Sequence, residues 1–309
     1  MSAPRVSICL PTYNGARYLA RLLPALRSQR LSDRGPALES GEMELIAIDS
    51  SSSDDSAALL REHGARLEVI LKESFRHGAT RNRIAASARG EILVFLTQDA
   101  LPIGESFIRE LIAGFDDPRT AGITARVLPH PEDDPLTRRT VLAQPEAQTE
   151  AHSFDLDGLD GLWVLTETQR TALLAFNDVA SAIRASVFAA IPFPDVSFGE
   201  DVAWAARALT AGWRLRFAPA AVVHHAHRYT PRQAFARYRI DAHFRRHVLG
   251  QTVRPSLISV ARGFSYEVRE DLRFLARAAP EGRWRAAWQS PFLRGAQVLG
   301  QYLGAHGKR

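Results

Sequence analysis

Asp99 closes one of the sharpest transitions in this 309-residue chain. The run Ile92-Leu93-Val94-Phe95-Leu96 is wholly apolar and gives way at once to Thr97-Gln98-Asp99. So short an apolar run reads as a strand buried on both faces, as in a parallel sheet. Ligands of open α/β sheets bind just beyond the carboxyl ends of such strands. A carboxylate there could hold a divalent cation against phosphate oxygens. Two earlier strand-like runs end the same way. Val6-Ser7-Ile8-Cys9-Leu10 stops at Pro11-Thr12-Tyr13-Asn14-Gly15, and Leu45-Ile46-Ala47-Ile48 stops at Asp49 and a serine run. Further on, Glu200-Asp201 stand just before an apolar-periodic stretch, and His224, His225 and His227 follow Val222-Val223.

These residues need elements to hold them. Between the first two strands, Tyr18, Leu19, Leu22, Leu23 and Leu26 recur at helical spacing, and residues 31–42 are loop-like. A helix near residues 55–63, with Ser53 or Asp54 as N-cap, leads to a third strand at Leu67–Leu71. A short helix over 78–89 then delivers the chain to the strand at 92–96. The order β-α-β-α-β-α-β predicts a doubly wound, mostly parallel, Rossmann-like sheet. No GxGxxG follows the first strand and no GxxxxGK[ST] occurs anywhere, so neither common phosphate-binding fingerprint is present. Residues 128–160 are Pro- and acid-rich and read as a long mobile flap. The predicted organisation is one α/β domain over 1–230, in two halves of about 1–125 and 126–230. A helical basic region over 231–309 follows it.

Composition narrows the class. Hydrophobic residues make up 46% and charged residues 24%, an ordinary globular balance. The single cysteine excludes a disulfide framework and fits a reducing compartment. No apolar run approaches the ~20 residues that span a bilayer, and the N-terminus shows no signal-peptide pattern, so a cytoplasmic location is expected. The net charge of +5 hides an asymmetry: residues 228–309 hold 16 basic side chains against 5 acidic ones, and residues 1–227 hold 23 against 29. A basic tail on an acidic body suits an anionic partner, or simply solvated helix faces.

With these residues in view, the chain resembles glycosyltransferase family 2, a family of GT-A fold, and within it the bacterial rhamnosyltransferase branch. The resemblance rests on four segments in this order: Asp49-Ser50-Ser51-Ser52, Phe75-Arg76-His77-Gly78-Ala79-Thr80-Arg81-Asn82, Phe95-Leu96-Thr97-Gln98-Asp99-Ala100 and Phe198-Gly199-Glu200-Asp201-Val202-Ala203-Trp204. It spans roughly residues 5–250, and it implies that residues 1–230 are a GT-A catalytic domain with a nucleotide-sugar half over about 1–125 and an acceptor half over about 126–230. It implies that Asp49 accepts a hydrogen bond from the imide N–H of uracil or thymine, with Pro11, Thr12, Tyr13 and Asn14 lining the same pocket. It places Arg81 at a phosphate or ribose oxygen and Gln98 toward the donor. It makes Asp99 the ligand of Mg2+ or Mn2+. The family usually carries Asp-x-Asp here, and Thr97 replaces the first acid, so metal affinity without nucleotide is expected to be low. The resemblance makes Asp201 the catalytic base, Glu200 its support, and Asn177 and Asp178 neighbours of the acceptor and donor sugar. A histidine after the acidic motif adds a metal ligand in many relatives; His227 is preferred here, with His225 next. Taken alone, Asp49 also suits an Asx-turn, and Glu200-Asp201 suit the charge of a helix N-terminus.

The tail interleaves Arg232, Arg237, Arg239, Arg245 and Arg246 with Phe235, Tyr238 and Phe244, and adds Trp284, Trp288 and Phe292 farther on. Such helices suit either a membrane interface or an apolar face docked on the catalytic domain or a sister subunit. No nucleic-acid-binding signature occurs. The reading is an inverting, metal-dependent glycosyltransferase moving a sugar onto a growing cell-surface glycan or a lipid-linked acceptor. The branch resemblance implies L-rhamnose from dTDP-rhamnose. A UDP-sugar-dependent family 2 enzyme and a non-catalytic glycan- or membrane-binding relative stand as alternatives. A nucleotidyltransferase would carry a Gly-rich basic loop after the first strand, which Pro11–Gly15 is not.

Overall fold

A computed structural model describes residues 3–157 and 161–307. The expected domain ranges and the expected flap include residues 1, 2, 158–160, 308 and 309, which lie outside the described residues. The chain folds as two compact units: residues 1–127 with 145–225, and residues 128–144 with 226–309.

The first unit is built on one sheet. Strands β1 (Val6–Thr12), β2 (Met43–Asp49), β3 (Arg66–Val69) and β4 (Ile92–Leu96) alternate with helices α1 (Ala16–Arg27), α2 (Ser56–Glu62) and α3 (His77–Ala86). β5 (Leu101–Pro102), α4 (Phe107–Ile112) and β6 (Thr120–Leu128) follow. α5 (Pro135–Leu142) belongs to the second unit. The chain returns through β7 (His152–Phe154), α6 (Glu167–Leu173), β8 (Ala180–Arg184), α7 (Ala185–Ala190), α8 (Glu200–Thr210) and β9 (Arg214–His224). The sheet order is β3-β2-β1-β4-β8-β6-β9-β5, with β7 paired to β9.

β3, β2, β1 and β4 run parallel, the doubly wound half that the sequence predicts. β8 lies antiparallel to both β4 and β6, and β5 and β7 lie antiparallel to β9. Every residue of β1 and of β4 is buried, which is why β4 reads as a continuous apolar run and β1 as a nearly continuous one, its buried Ser7 hydroxyl donating to Glu44 at 2.6 Å. In α1, Leu19, Leu22, Leu23 and Leu26 face the core at i, i+3, i+4 and i+7. The Cys9 thiol is buried and burial pushes its pKa far up, which leaves it unreactive.

The segment expected to be a mobile flap carries secondary structure, in α5 and β7. Asp134 caps α5 by accepting from the amides of Leu136 and Thr137, and Pro135 takes the first helical position. β7 then adds an edge strand to β9. Two-strand pairing and a short capped helix need no long periodic pattern, so composition alone hid them.

The second unit is helical: α5, α9 (Pro231–Leu249), α10 (Leu257–Ala278) and α11 (Arg283–His306). α9 and α11 approach backbone to backbone. A methyl on Gly300 would lie 2.5 Å from the Phe235 carbonyl oxygen, and one on Gly304 would lie 2.1 Å from that of Arg239. Within this unit Arg294 is buried, donating to both carboxylate oxygens of Asp271 at 2.8 Å and to Gln297 and Thr140. Ser290 also donates to Asp271. No helix among the described residues is long and apolar enough to cross a membrane.

Candidate active site

The parallel strand ends β1, β2 and β4 hold the first set of candidates together. Asp49, at the end of β2, is 1% exposed, and its carboxylate accepts from the Ser52 amide (2.8 Å) and the Ser52 hydroxyl (2.5 Å). Asn14 is in a left-handed conformation (φ 45°), and its side-chain oxygen accepts from the Ser53 amide at 2.8 Å. The amide of Asn14 donates to Ser52 and that of Gly15 to Ser56, both at 2.8 Å. The serine run therefore stitches the β1 turn to the β2 turn.

Gln98 reaches the same turn from β4. Its side-chain oxygen accepts from the Thr12 hydroxyl (2.5 Å) and the Tyr13 amide (3.0 Å), and its amide nitrogen donates to the Tyr13 carbonyl (3.1 Å). Gln98 thus holds Thr12 and Tyr13 in place, beyond the donor contact that the resemblance implies for it. Lys72, just past β3, donates to the Tyr13 hydroxyl at 2.7 Å and sits 4.5 Å from its ring centroid. Sequence reasoning passed over Lys72. Its signal was position, since it stands at the end of a strand in the same row as Tyr13, Asp49 and Asp99.

A second set gathers around Arg81. Asp178 precedes β8, and the antiparallel pairing of Leu96 with Ala180, continued by the Thr97 amide on the Val179 carbonyl at 3.0 Å, brings it to the end of β4. Asn82 in α3 pairs with the Phe193 backbone through bonds of 2.9 and 3.1 Å, which docks α3 on the segment leading into α8. Gly199, before the acid pair, has φ 74°, so the chain turns into α8 through a left-handed residue. Arg81 itself is 3% exposed, with Nε 2.9 Å from Asp178 Oδ2 and Nη1 donating to Glu200 Oε1 at 2.9 Å. The structure therefore surrounds with two carboxylates the guanidinium that the resemblance implies at a phosphate or ribose.

Asp201 faces this cluster. Its carboxylate accepts from the Asp178 amide at 3.3 Å and from the Val202 amide at 2.8 Å. Burial and the neighbouring Asp178 charge push the Glu200 carboxyl up to about 7, against the pull of Arg81. Burial, then Asp178 and Glu200, hold the Asp201 carboxyl well above the ordinary range. Three acids around one guanidinium cannot all be charged cheaply in a poorly solvated site. Asn177, next to Asp178, has a buried side-chain oxygen with no hydrogen-bond partner among the described residues.

The third set is Asp99 with His225. β5 pairs antiparallel with β9, Leu101 opposite His224, so the next step sets Ala100 beside His225. His225 Nε2 lies 3.5 Å from Asp99 Oδ1, and both side chains are largely buried. A carboxylate oxygen and an imidazole nitrogen this close could bind one divalent cation. His227 follows two residues along the chain, in the second unit. Thr97, where the family usually has its first acid, keeps a buried hydroxyl with no hydrogen-bond partner among the described residues.

Residues 7–175 match the sequence profile of Glycosyl transferase family 2. The chain is 30% identical over 307 residues to the O-antigen chain rhamnosyltransferase WbaN of Salmonella anatum, covering 98% of this chain and 90% of that one. It is 28% identical to the O-antigen chain rhamnosyltransferase RfbN of Salmonella typhimurium, with the same coverage. Among solved structures it is similar to the mannosyltransferase PcManGT of Pyrobaculum calidifontis, in complex with GDP-Man and Mn2+. There the TM-score is 0.60 at 17% identity, covering 96% of this chain and 87% of that one. It is also similar to S. aureus TarS with UDP-GlcNAc, with a TM-score of 0.55 at 15% identity, covering 98% and 92%. The mixed sheet with its parallel half is the fold that these glycosyltransferase structures share. The chain belongs to glycosyltransferase family 2.

Proposed function

We propose that this glycosyltransferase moves L-rhamnose from dTDP-rhamnose, with inversion, onto a growing cell-surface glycan or a lipid-linked acceptor. The donor reading draws on the two O-antigen chain rhamnosyltransferases that align along nearly the whole chain. The chemistry draws on one observation above all: Asp201 stands at the start of α8, where burial and then its acid neighbours raise its proton affinity. A carboxylate of raised basicity is a competent general base near neutral pH.

In this reading Asp201 takes the proton of the acceptor hydroxyl. The hydroxyl oxygen attacks the anomeric carbon, and the bond to the diphosphate breaks with its electron pair leaving on the phosphate oxygen. Arg81 positions the reacting groups by holding Asp178 and Glu200, rather than touching substrate itself. Asn177 and Asp178 lie toward the sugar. Thr12, Tyr13, Asn14 and Asp49 receive the base, with Pro11 beside them and Gln98 fixing their turn. Asp99 and His225 would hold Mg2+ or Mn2+. A divalent cation, when bound, neutralises charge that develops on the diphosphate. The work would take place in the cytoplasm, at the inner face of the membrane.

Incubation with dTDP-rhamnose, UDP-sugars and GDP-mannose, with and without Mn2+, tests the donor by release of nucleotide diphosphate. Release from another donor alone would overturn the rhamnose reading. A UDP-sugar is the second reading, because an acceptor at Asp49 meets the imide of uracil as well as that of thymine. Release from no donor would support a non-catalytic binding protein.

A further inference from the structure

In the second unit, α11 has two opposed faces. Ala286, Ser290, Arg294, Gln297, Val298, Gly300, Gly304 and Ala305 are buried. Trp284, Trp288, Phe292, Leu299 and Leu303 are exposed, the two tryptophans by 75% and 78%. At the α-helical 3.6 residues per turn, those five apolar side chains fall within about 100° of arc, opposite the buried face. Scattered apolar residues on a surface are normal, but two tryptophans, a phenylalanine and two leucines in one stripe are not.

α10 carries the matching charge. Its exposed side chains include Leu257, Ile258, Tyr266 and Leu272, with Arg262, Arg269, Arg273 and Arg277 along the same helix. Arg262 and Arg269 line a groove with Ala261, Ser265 and Tyr266. A guanidinium pair beside an aromatic ring suits a phosphate headgroup. Residues 228–309 hold 16 basic side chains and 5 acidic ones. A second copy of the same face would bring like charge against like charge, which repels. A bilayer of anionic lipid offers the opposite charge and an interface where tryptophan is favoured.

We infer that α10 and α11 form a docking surface for an anionic phospholipid membrane, with Trp284, Trp288 and Phe292 entering the interface and Arg262 and Arg269 meeting lipid phosphates. This depends on no donor or acceptor assignment.

Co-sedimentation of the full chain with vesicles tests it. Vesicles of phosphatidylglycerol and phosphatidylcholine should pellet the protein, vesicles of phosphatidylcholine alone should not, and 0.5 M salt should weaken the binding. The variant W284A/W288A/F292A should lower partition at least tenfold, and R262E/R269E should lower it with the anionic vesicles. All five side chains are exposed, so both variants should keep the wild-type circular dichroism and melting temperature. Partition unchanged in both variants would overturn the inference. So would absence of binding to anionic vesicles, equal binding to both vesicle types, or a dimer in size-exclusion chromatography that the triple variant abolishes.

Discussion

Arg81 and Glu200 meet across 119 positions of sequence, Nη1 donating to Oε1 at 2.9 Å in a site nearly closed to solvent. That pair, with Asp178 on the other side of the guanidinium, joins the third helix to the acid motif at the start of α8. The charge that holds the cluster together is also what moderates the acids.

Arg81→Met should therefore destabilise the fold severely. It leaves Asp178 and Glu200 buried without their cation, and breaking a buried pair from one side costs about 3–5 kcal/mol. Urea denaturation of wild type and variant measures this. A loss below about 1 kcal/mol, the worth of a surface pair, would mean that the cluster is well solvated.

Transfer should rise with pH on the acid side of the profile, since a base must be unprotonated and burial, then Asp178 and Glu200, hold the Asp201 carboxyl above its ordinary range. Asp178→Asn removes a like charge from both Glu200 and Asp201, so the acid limb of the pH–rate profile should move to lower pH. A limb that stays in place would separate Asp178 from the titration. Stability carries the opposite sign. The Glu200 carboxyl is raised in the folded state, so its contribution is full below the unfolded value near 4.5 and declines as pH climbs to about 7. Asp178→Asn should flatten that decline in thermal melts.

Asp201→Asn should lower the turnover rate by about 10²–10⁴, the range attributed to general base catalysis, while nucleotide affinity stays within a few-fold. Calorimetric titration beside a turnover assay gives both numbers. Equal loss of both would remove Asp201 from the role of base.

Asp99→Asn and His225→Ala should each raise the Mn2+ concentration needed for half-maximal transfer by about tenfold or more, comparable to the effect of losing even an outer contact at a metal site. Nucleotide affinity without metal should change far less. An unchanged metal requirement in both variants would place the cation elsewhere.

Local sequence carried much of this protein. The runs that become β1, β2 and β4 are legible because strands buried on both faces are predominantly apolar. The polar residues at their ends are legible because such strands present one end to ligand. Glu200 and Asp201 announce a helix start, and α8 begins at Glu200. What sequence could not decide was pairing at long range. The antiparallel β8 lies beside β4, and β5 lies beside β9. No periodicity records which strand lies beside which. Those two pairings carry Asp178 to the end of β4 and His225 to Asp99. The same limit holds for Arg81: its type and its place on α3 pointed to an anion, but the nearest anions are Asp178 and Glu200. Sequence determined the residue types and the elements that bear them. Only the tertiary structure decided which charges share a poorly solvated site, because that depends on the approach of segments far apart in sequence, 119 positions for Arg81 and Glu200.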